Sequence, residues 1–138
     1  MKLSVPDVSA LQPVDTVPIK SEEAREQARL VAALRFHWSK IELRKDRPII
    51  FAIPNGGQRD AREGANLKVQ GVLAGIPDLG IILPNGQCLW VEMKASDGRL
   101  SKSQVGVHDH MSELAHMIVT AYSAEEALNK LSRINWGF

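Results

Sequence analysis

Two short apolar runs, residues 79–83 and 88–94, flank the tripeptide Pro84-Asn85-Gly86. Proline and glycine in so short a linker indicate a tight turn, and flanking runs of this length predict a β-hairpin. An isolated hairpin is at best marginally stable, so other segments must cover its apolar face. The rest of the chain therefore has to supply further strands or helices around this pair.

The remaining segments alternate between helical and strand-like patterns. We predict helices over residues 21–38, 59–70 and 101–114, a strand at 49–53, a buried strand at 116–121, and a last helix after Ser123. Residues 1–20 contain three prolines without periodicity, which predicts an extended or flexible N-terminal arm before a domain spanning 21–134. The order predicts an α/β fold with a mixed central sheet of about four strands, flanked by helices.

Composition limits the class of protein. A chain of 138 residues with 44% hydrophobic and 24% charged residues fits one globular domain, and its net charge of +1 argues neither for nor against nucleic acid. Cys88 is the single cysteine, which excludes an intrachain disulfide and a cysteine-rich zinc site. Without a long apolar run, no membrane span or signal peptide is expected, so we predict a cytoplasmic protein.

The strand at 88–94 ends with two charged residues among apolar ones. Because side chains alternate along a strand, Glu92 and Lys94 share one face, while Leu89, Val91 and Met93 share the other. A buried carboxylate is expensive unless it is paired. A metal ion or a lysine could provide the partner.

A second carboxylate, Asp78, lies at the start of the preceding strand. A two-residue Asn85-Gly86 turn would pair Asp78 with Met93 and separate the carboxylates, whereas a three-residue loop would pair Asp78 with Glu92. Pro84 suits the first central position of a type I turn, and Gly86 suits the left-handed position that follows. We therefore predict the three-residue loop.

The sequence Pro77-Asp78, a hairpin and then Glu92-Met93-Lys94 resembles the PD-(D/E)xK nuclease superfamily. Other segments resemble one branch of it, the VRR-NUC (virus-type replication-repair nuclease) family, over about residues 21–131, and are closest to the stand-alone proteins of phages and prophages. These segments are Ser21-Glu22-Glu23, Glu26-Gln27, Ile53-Pro54-Asn55-Gly56-Gly57-Gln58-Arg59, Leu67-Lys68-Val69-Gln70-Gly71-Val72, Gly75-Ile76-Pro77-Asp78-Leu79, and Gly98-Arg99-Leu100-Ser101 with Gln104.

The resemblance implies a restriction-endonuclease-like core and a metal-dependent DNA endonuclease. Asp78 and Glu92 would bind Mg²⁺, for which Mn²⁺ could substitute, with the Met93 carbonyl as a further oxygen ligand. Lys94 would serve the attacking water, and Gln104 matches a glutamine near the family's site. Stand-alone members resemble dimeric Holliday-junction resolvases, so the implied protein is a homodimer acting on branched DNA in phage or bacterial replication or repair, without an organic cofactor.

A glutamate of the first helix is expected to complete the site. At about 100° per residue, Glu23 lies about 20° from Leu30 and Leu34 and so faces the core with them. We predict Glu23, with Glu26 second. The alternative is that these glutamates only satisfy the helix N-terminus.

Basic residues are candidates for DNA contacts, although they too have an ordinary explanation. Arg59, Arg62 and Lys68 lie on or beside the helix at 59–70, and Arg99 and Lys102 lie near the charged strand. A solvated charged helix face is the alternative reading. For His108-Asp109-His110, we expect a solvated or packed role, because side chains two apart on a helix diverge.

Two other function classes remain open at this point. One is a catalytically silent DNA-binding accessory module, although the joint presence of Asp78, Glu92 and Lys94 argues against it. The other is a restriction-type endonuclease, which the lack of an added recognition domain disfavours.

Overall fold

The computed structural model describes residues 2–14, 19, 21–54 and 61–135. A four-stranded sheet in the order β1-β2-β3-β4 is flanked by four helices. The α-helices and strands in chain order are α1 (Glu22–Ser39), β1 (Ile49–Ala52), α2 (Ala61–Val69), β2 (Leu79–Ile82), β3 (Cys88–Met93), α3 (Lys102–Glu113), β4 (Met117–Ala121) and α4 (Ala124–Arg133). The predicted α/β, restriction-endonuclease-like core with a mixed sheet is confirmed.

The first three strands are antiparallel, and β3 runs parallel to β4. A parallel neighbour requires a crossover, which α3 provides. Because α3 follows β3 directly, its first turn lies close to the end of the strand that carries Glu92 and Lys94.

The hairpin between β2 and β3 has the three-residue loop. Leu83 N–H donates to the Gln87 carbonyl at 2.9 Å, and Gly86 N–H donates to the Leu83 carbonyl, also at 2.9 Å. Gly86 has a φ of +87°, the left-handed conformation that favours glycine.

This loop sets the register of the two strands. Leu79 pairs with Val91, so the register continues to Asp78 opposite Glu92. The predicted register is confirmed.

Three helices begin at serine caps, as their sequences predict. Ser21 accepts a hydrogen bond from Ala24 N–H, and Ser123 accepts one from Glu126 N–H. At α3, Ser101 and Gln104 form a reciprocal capping box. These caps satisfy N–H groups that have no partner inside the helix.

The two faces of the sheet are covered unequally. One face forms the core with α1 and α4, from residues such as Leu30, Leu34, Leu79, Val91 and Leu128. The other face carries Glu92, and the packing of His108 near this carboxylate places α3 there. Because β4 is an edge strand, the prediction that it is buried is wrong for part of its length: Met117 is 45% exposed.

The N-terminal arm lies on the domain over residues 2–14. Leu3 is buried in the core cluster, and Trp38 Nε1 donates to the Ser4 carbonyl at 2.7 Å. Lys2 forms an isolated antiparallel bridge with Asn135. Val8–Ala10 form a short 3-10 helix, and the description of residues 1–20 as an extended or flexible arm stays a prediction. The domain boundary at residue 21 stays a prediction.

No helix in the described ranges is both long enough and apolar enough to cross a membrane.

Candidate active site

Asp78 and Glu92 are joined through each other's backbone. Asp78 N–H donates to Glu92 Oε2 at 3.2 Å, and Met93 N–H donates to Asp78 Oδ2 at 3.0 Å. The Asp78 carbonyl accepts from Ile53 N–H at 2.8 Å, which also ties this position to the end of β1. Adjacent strands therefore hold the two carboxyl groups side by side.

Gln104 connects this carboxyl pair to Lys94. Its Nε2 donates to Glu92 Oε1 at 2.6 Å, and its Oε1 accepts from Lys94 Nζ at 3.3 Å. The same oxygen accepts from Ser101 N–H at 2.8 Å, the bond that closes the capping box. The helix cap therefore fixes the direction in which the amide of Gln104 points.

Burial changes the protonation of the carboxyl pair. Glu92 is 1% exposed, and burial, reinforced by the charge of Asp78, raises its pKa to about 8. Burial also raises the pKa of Asp78, against hydrogen bonding by Met93 and the charge of Lys94. Two neighbouring carboxyl groups in a desolvated place do not both ionise readily, so the pair retains a proton at neutral pH.

The three glutamates at the start of α1 point to different partners. Burial raises the pKa of Glu23, the charge of Asp78 raises it further, and the charge of Lys94 opposes both. Glu22 accepts from Ser96 N–H at 3.2 Å. Glu26 accepts from Arg29 Nη1 at 2.7 Å and from Ala124 N–H at 3.2 Å. Glu23 is thus the one whose electrostatic neighbours are Asp78 and Lys94.

His108 is a site neighbour that the sequence did not identify as functional. It is 7% exposed, and its Nε2 lies 3.9 Å from Glu92 Oε2. Burial lowers its pKa, so the ring is neutral at pH 7. A signal was present in the sequence: His108 follows Gln104 by four residues and so lies on the same face of the helix.

The candidate DNA-contact residues lie in two places. Arg99 and Lys102 are exposed on either side of Ser101, the cap of α3. Arg62 and Lys68 are exposed on α2, which has no buried residue. Arg59 lies outside the described residues. Because the two groups lie on different segments of the fold, their joint role stays a prediction.

The donor set suits a hard divalent cation. Within the described ranges, no three Asp, Glu, His or Cys side chains already converge tightly enough to hold a metal ion. Two adjacent carboxyl groups that share a proton nevertheless form the oxygen-rich, negatively charged place that Mg²⁺ or Mn²⁺ prefers. A buried nitrogen without a hydrogen-bond partner lies beside them. The residues present therefore fit a cation.

The mixed four-stranded sheet flanked by helices is a restriction-endonuclease-like fold. No family model matches the chain, and no curated protein matches it. A solved structure named as a VRR_NUC domain is similar, with a TM-score of 0.55 at 17% sequence identity, covering 85% of this chain and 100% of that one. The chain thus has the fold of a VRR-NUC domain, and the resemblance found in the sequence is confirmed for the fold.

Proposed function

We propose that this chain is a divalent-metal-dependent DNA endonuclease that hydrolyses phosphodiester bonds. The observation that carries the proposal is the single group formed by Asp78, Glu92, Gln104 and Lys94, linked by hydrogen bonds of 2.6–3.3 Å. The fold shared with a solved VRR_NUC domain supports it. A purely structural ion pair would not need a buried and a half-buried carboxyl group side by side, both with raised pKa values.

Asp78 and Glu92 are the proposed metal ligands. The N–H and C=O of one strand residue project from the same side of the strand, and Met93 N–H already points at Asp78. This supports the Met93 carbonyl as a further oxygen ligand. The neighbours of Glu23 support it as the additional carboxylate. When bound, the cation supplies Lewis-acid stabilisation of the phosphate and a water of lowered pKa.

Lys94 and Gln104 are proposed to handle the nucleophile. The ammonium group of Lys94 can donate to an attacking water and stabilise the negative charge that develops on the phosphate. Gln104 holds Lys94 on one side and Glu92 on the other, so it sets the separation between the cationic and anionic parts of the site. Geometry of this kind is what an in-line attack requires.

Arg99 and Lys102 are the proposed phosphate contacts nearest the site, with Arg59, Arg62 and Lys68 as a second group. Both residues beside Ser101 are exposed, and they border the helix that carries Gln104. Phosphate contacts position a duplex without reading its sequence. This fits an enzyme that selects DNA by structure.

The finer proposal is a homodimer that cuts branched or junction DNA in phage or bacterial replication or repair. It follows from the family resemblance in the sequence, to which the structural similarity adds a shared fold. Two sites related by a two-fold axis would suit the paired strands of a junction.

A cleavage assay tests the proposal. Purified protein is incubated with labelled four-way junctions, flaps, single strands and plain duplex, each with Mg²⁺, Mn²⁺ or EDTA. We expect metal-dependent cutting, fastest on branched DNA, and loss of cutting in Glu92→Gln. Glu113→Gln is the matched control, because Glu113 is exposed at the far end of α3.

Three results would count against different parts of the proposed function. Cutting that persists in EDTA or in Glu92→Gln would contradict the role of the carboxyl pair. Binding of DNA without any cutting would favour the accessory module instead. Equal cutting of all substrates would remove only the proposed selectivity for branches.

A further inference from the structure

We propose that His108 is a nitrogen ligand of the divalent cation and biases the site toward Mn²⁺ over Mg²⁺. The inference rests on the proposed function, because it concerns the cation held by Asp78 and Glu92. It goes further by assigning a ligand of a different chemical type and the metal preference that follows.

The His108 side chain carries a buried nitrogen without a partner. Its Nε2 is buried and has no hydrogen-bond partner, and it is the one such side-chain atom found in the described part of the chain. Leaving a buried polar atom unsatisfied costs on the order of 1–3 kcal/mol. A site that retains such an atom beside its acidic residues has a use for it when a ligand is bound.

His108 Nε2 lies near the carboxyl group of Glu92. The nearest acidic atom is Glu92 Oε2 at 3.9 Å, which is too long for a hydrogen bond. That oxygen already accepts from Asp78 N–H. The histidine therefore does not serve as the hydrogen-bond donor of Glu92, and a shared cation could bridge the 3.9 Å between the two atoms.

The other side of the His108 ring contacts the backbone of Gly75. Hydrogen bonding to the backbone of Gly75 favours a protonated ring nitrogen and so raises the pKa of His108, against the dominant effect of burial. Since Nε2 has no partner, we assign this contact to Nδ1. A histidine that donates one N–H to a backbone carbonyl presents the lone pair of its other nitrogen, and metal-binding histidines commonly have this arrangement.

The Gly75 backbone is itself held firmly against α3. A Cβ on Gly75 would lie 2.4 Å from the Ser103 carbonyl oxygen. This close approach fixes the loop before Asp78 relative to the helix that carries His108. The imidazole is therefore positioned by its own helix and by the Gly75 backbone before any cation enters.

The metal preference follows from ligand chemistry. Mg²⁺ prefers oxygen ligands and keeps several waters, whereas imidazole nitrogen suits transition metals better. Replacing one oxygen ligand by His108 Nε2 therefore favours Mn²⁺. Removing the imidazole should weaken Mn²⁺ binding more than Mg²⁺ binding.

Pulsed electron paramagnetic resonance of the Mn²⁺-loaded protein tests this directly. We expect a ¹⁴N modulation from a directly bound imidazole, replaced by the ¹⁵N signal when histidine is ¹⁵N-labelled in the wild-type protein. The modulation should vanish in His108→Asn and remain in His110→Asn, a matched control exposed on the same helix. The labelled wild-type protein requires no substitution, so poor folding of a variant does not affect this result.

Calorimetric titration supplies the second readout. We expect His108→Asn to weaken Mn²⁺ binding by about tenfold or more and Mg²⁺ binding distinctly less. Mn²⁺ binding that needs Glu92 but shows no ¹⁴N modulation would overturn the role of His108 and leave the proposed function standing. Equal losses for both metals would also overturn it. A wild-type protein that binds no Mn²⁺ would overturn this inference and the metal site together.

Discussion

Glu23 and Glu26 lie three residues apart on α1 and have different surroundings. Glu23 is influenced by the charges of Asp78 and Lys94, whereas Glu26 binds Arg29 and the N-terminus of α4. We predict that Glu23→Gln lowers the single-turnover cleavage rate by about tenfold or more, a typical loss for a group that supports a metal site. Glu26→Gln should keep the rate and lower the melting temperature. The opposite pattern would assign the metal-site role to Glu26.

The carboxyl pair also makes stability depend on pH. The folded-state pKa of Glu92, about 8, lies above its ordinary value of 4.5, so the native protein holds more protons between these values. The free energy of unfolding of the metal-free protein therefore falls as pH rises through this window, by at most about 1.4 kcal/mol per pH unit for one proton. The pKa of His108 is lowered, so its effect on stability has the opposite sign. It makes the free energy of unfolding rise with pH, but only below the ordinary His pKa of 6.5.

We predict that, in EDTA, wild-type protein loses stability relative to Glu92→Gln between about pH 7 and 8, the upper part of this window. Added Mg²⁺ should remove this loss, because a cation replaces the shared proton and metal binding then strengthens with pH. Denaturant unfolding at several pH values measures both effects. Parallel stability curves for the two proteins would contradict the raised pKa of Glu92.

At the scale of elements, the position of α3 depends on Gly75. Its φ is +92°, and a Cβ added there would lie only 2.4 Å from the Ser103 carbonyl oxygen, so there is no space for a side chain. We predict that Gly75→Ala is less stable than Gly71→Ala by about 1–3 kcal/mol, the usual effect of overpacking. Gly71 is a matched control, because its φ is also positive and nothing lies within 4 Å of the corresponding Cβ position.

Gly75→Ala should also reduce cleavage, because moving α3 displaces Gln104 from Glu92 and Lys94. Unfolding curves and cleavage rates of the two alanine variants check the pair of expectations. Equal losses in both variants would mean that backbone conformation alone, and not the close packing onto α3, is important here.

Much of this arrangement is local in the sequence and was predictable. Serine caps set the starts of α1, α3 and α4, and Pro84-Asn85-Gly86 sets the hairpin register that places Asp78 opposite Glu92. Alternation along β3 places Glu92 and Lys94 on one face. These features depend on residues close together in the chain.

The rest depends on contacts between distant segments. Glu26 has a partner on α4, and Glu22 has a partner on the segment after β3. No local sequence pattern predicts either contact. The burial of His108 depends on how α3 packs across the sheet, so the motif His108-Asp109-His110 did not reveal which histidine turns inward. The burial of β4 was overestimated because its place at the edge depends on strand order.

In the whole molecule, the candidate site lies on the face of the sheet opposite the hydrophobic core. The face that packs on α1 and α4 supplies the core, and the opposite face carries the charged group with α3 beside it. The exposed residues Arg99 and Lys102 lie on the segment that connects Lys94 to Gln104, so their proposed phosphate contacts would be local although the net charge of the chain is only +1.

The cleavage rate of Lys94→Ala, measured beside that of Lys40→Ala, tests whether the strand that ends at Lys94 carries a hydrolytic site. Lys40 is an exposed lysine that contacts the Phe36 ring, far along the chain from the carboxyl pair. We predict that Lys94→Ala lowers metal-dependent cleavage by about 10²–10⁴-fold with an unchanged fold, and that Lys40→Ala cleaves normally. Wild-type cleavage by purified Lys94→Ala would contradict a hydrolytic site built on this strand.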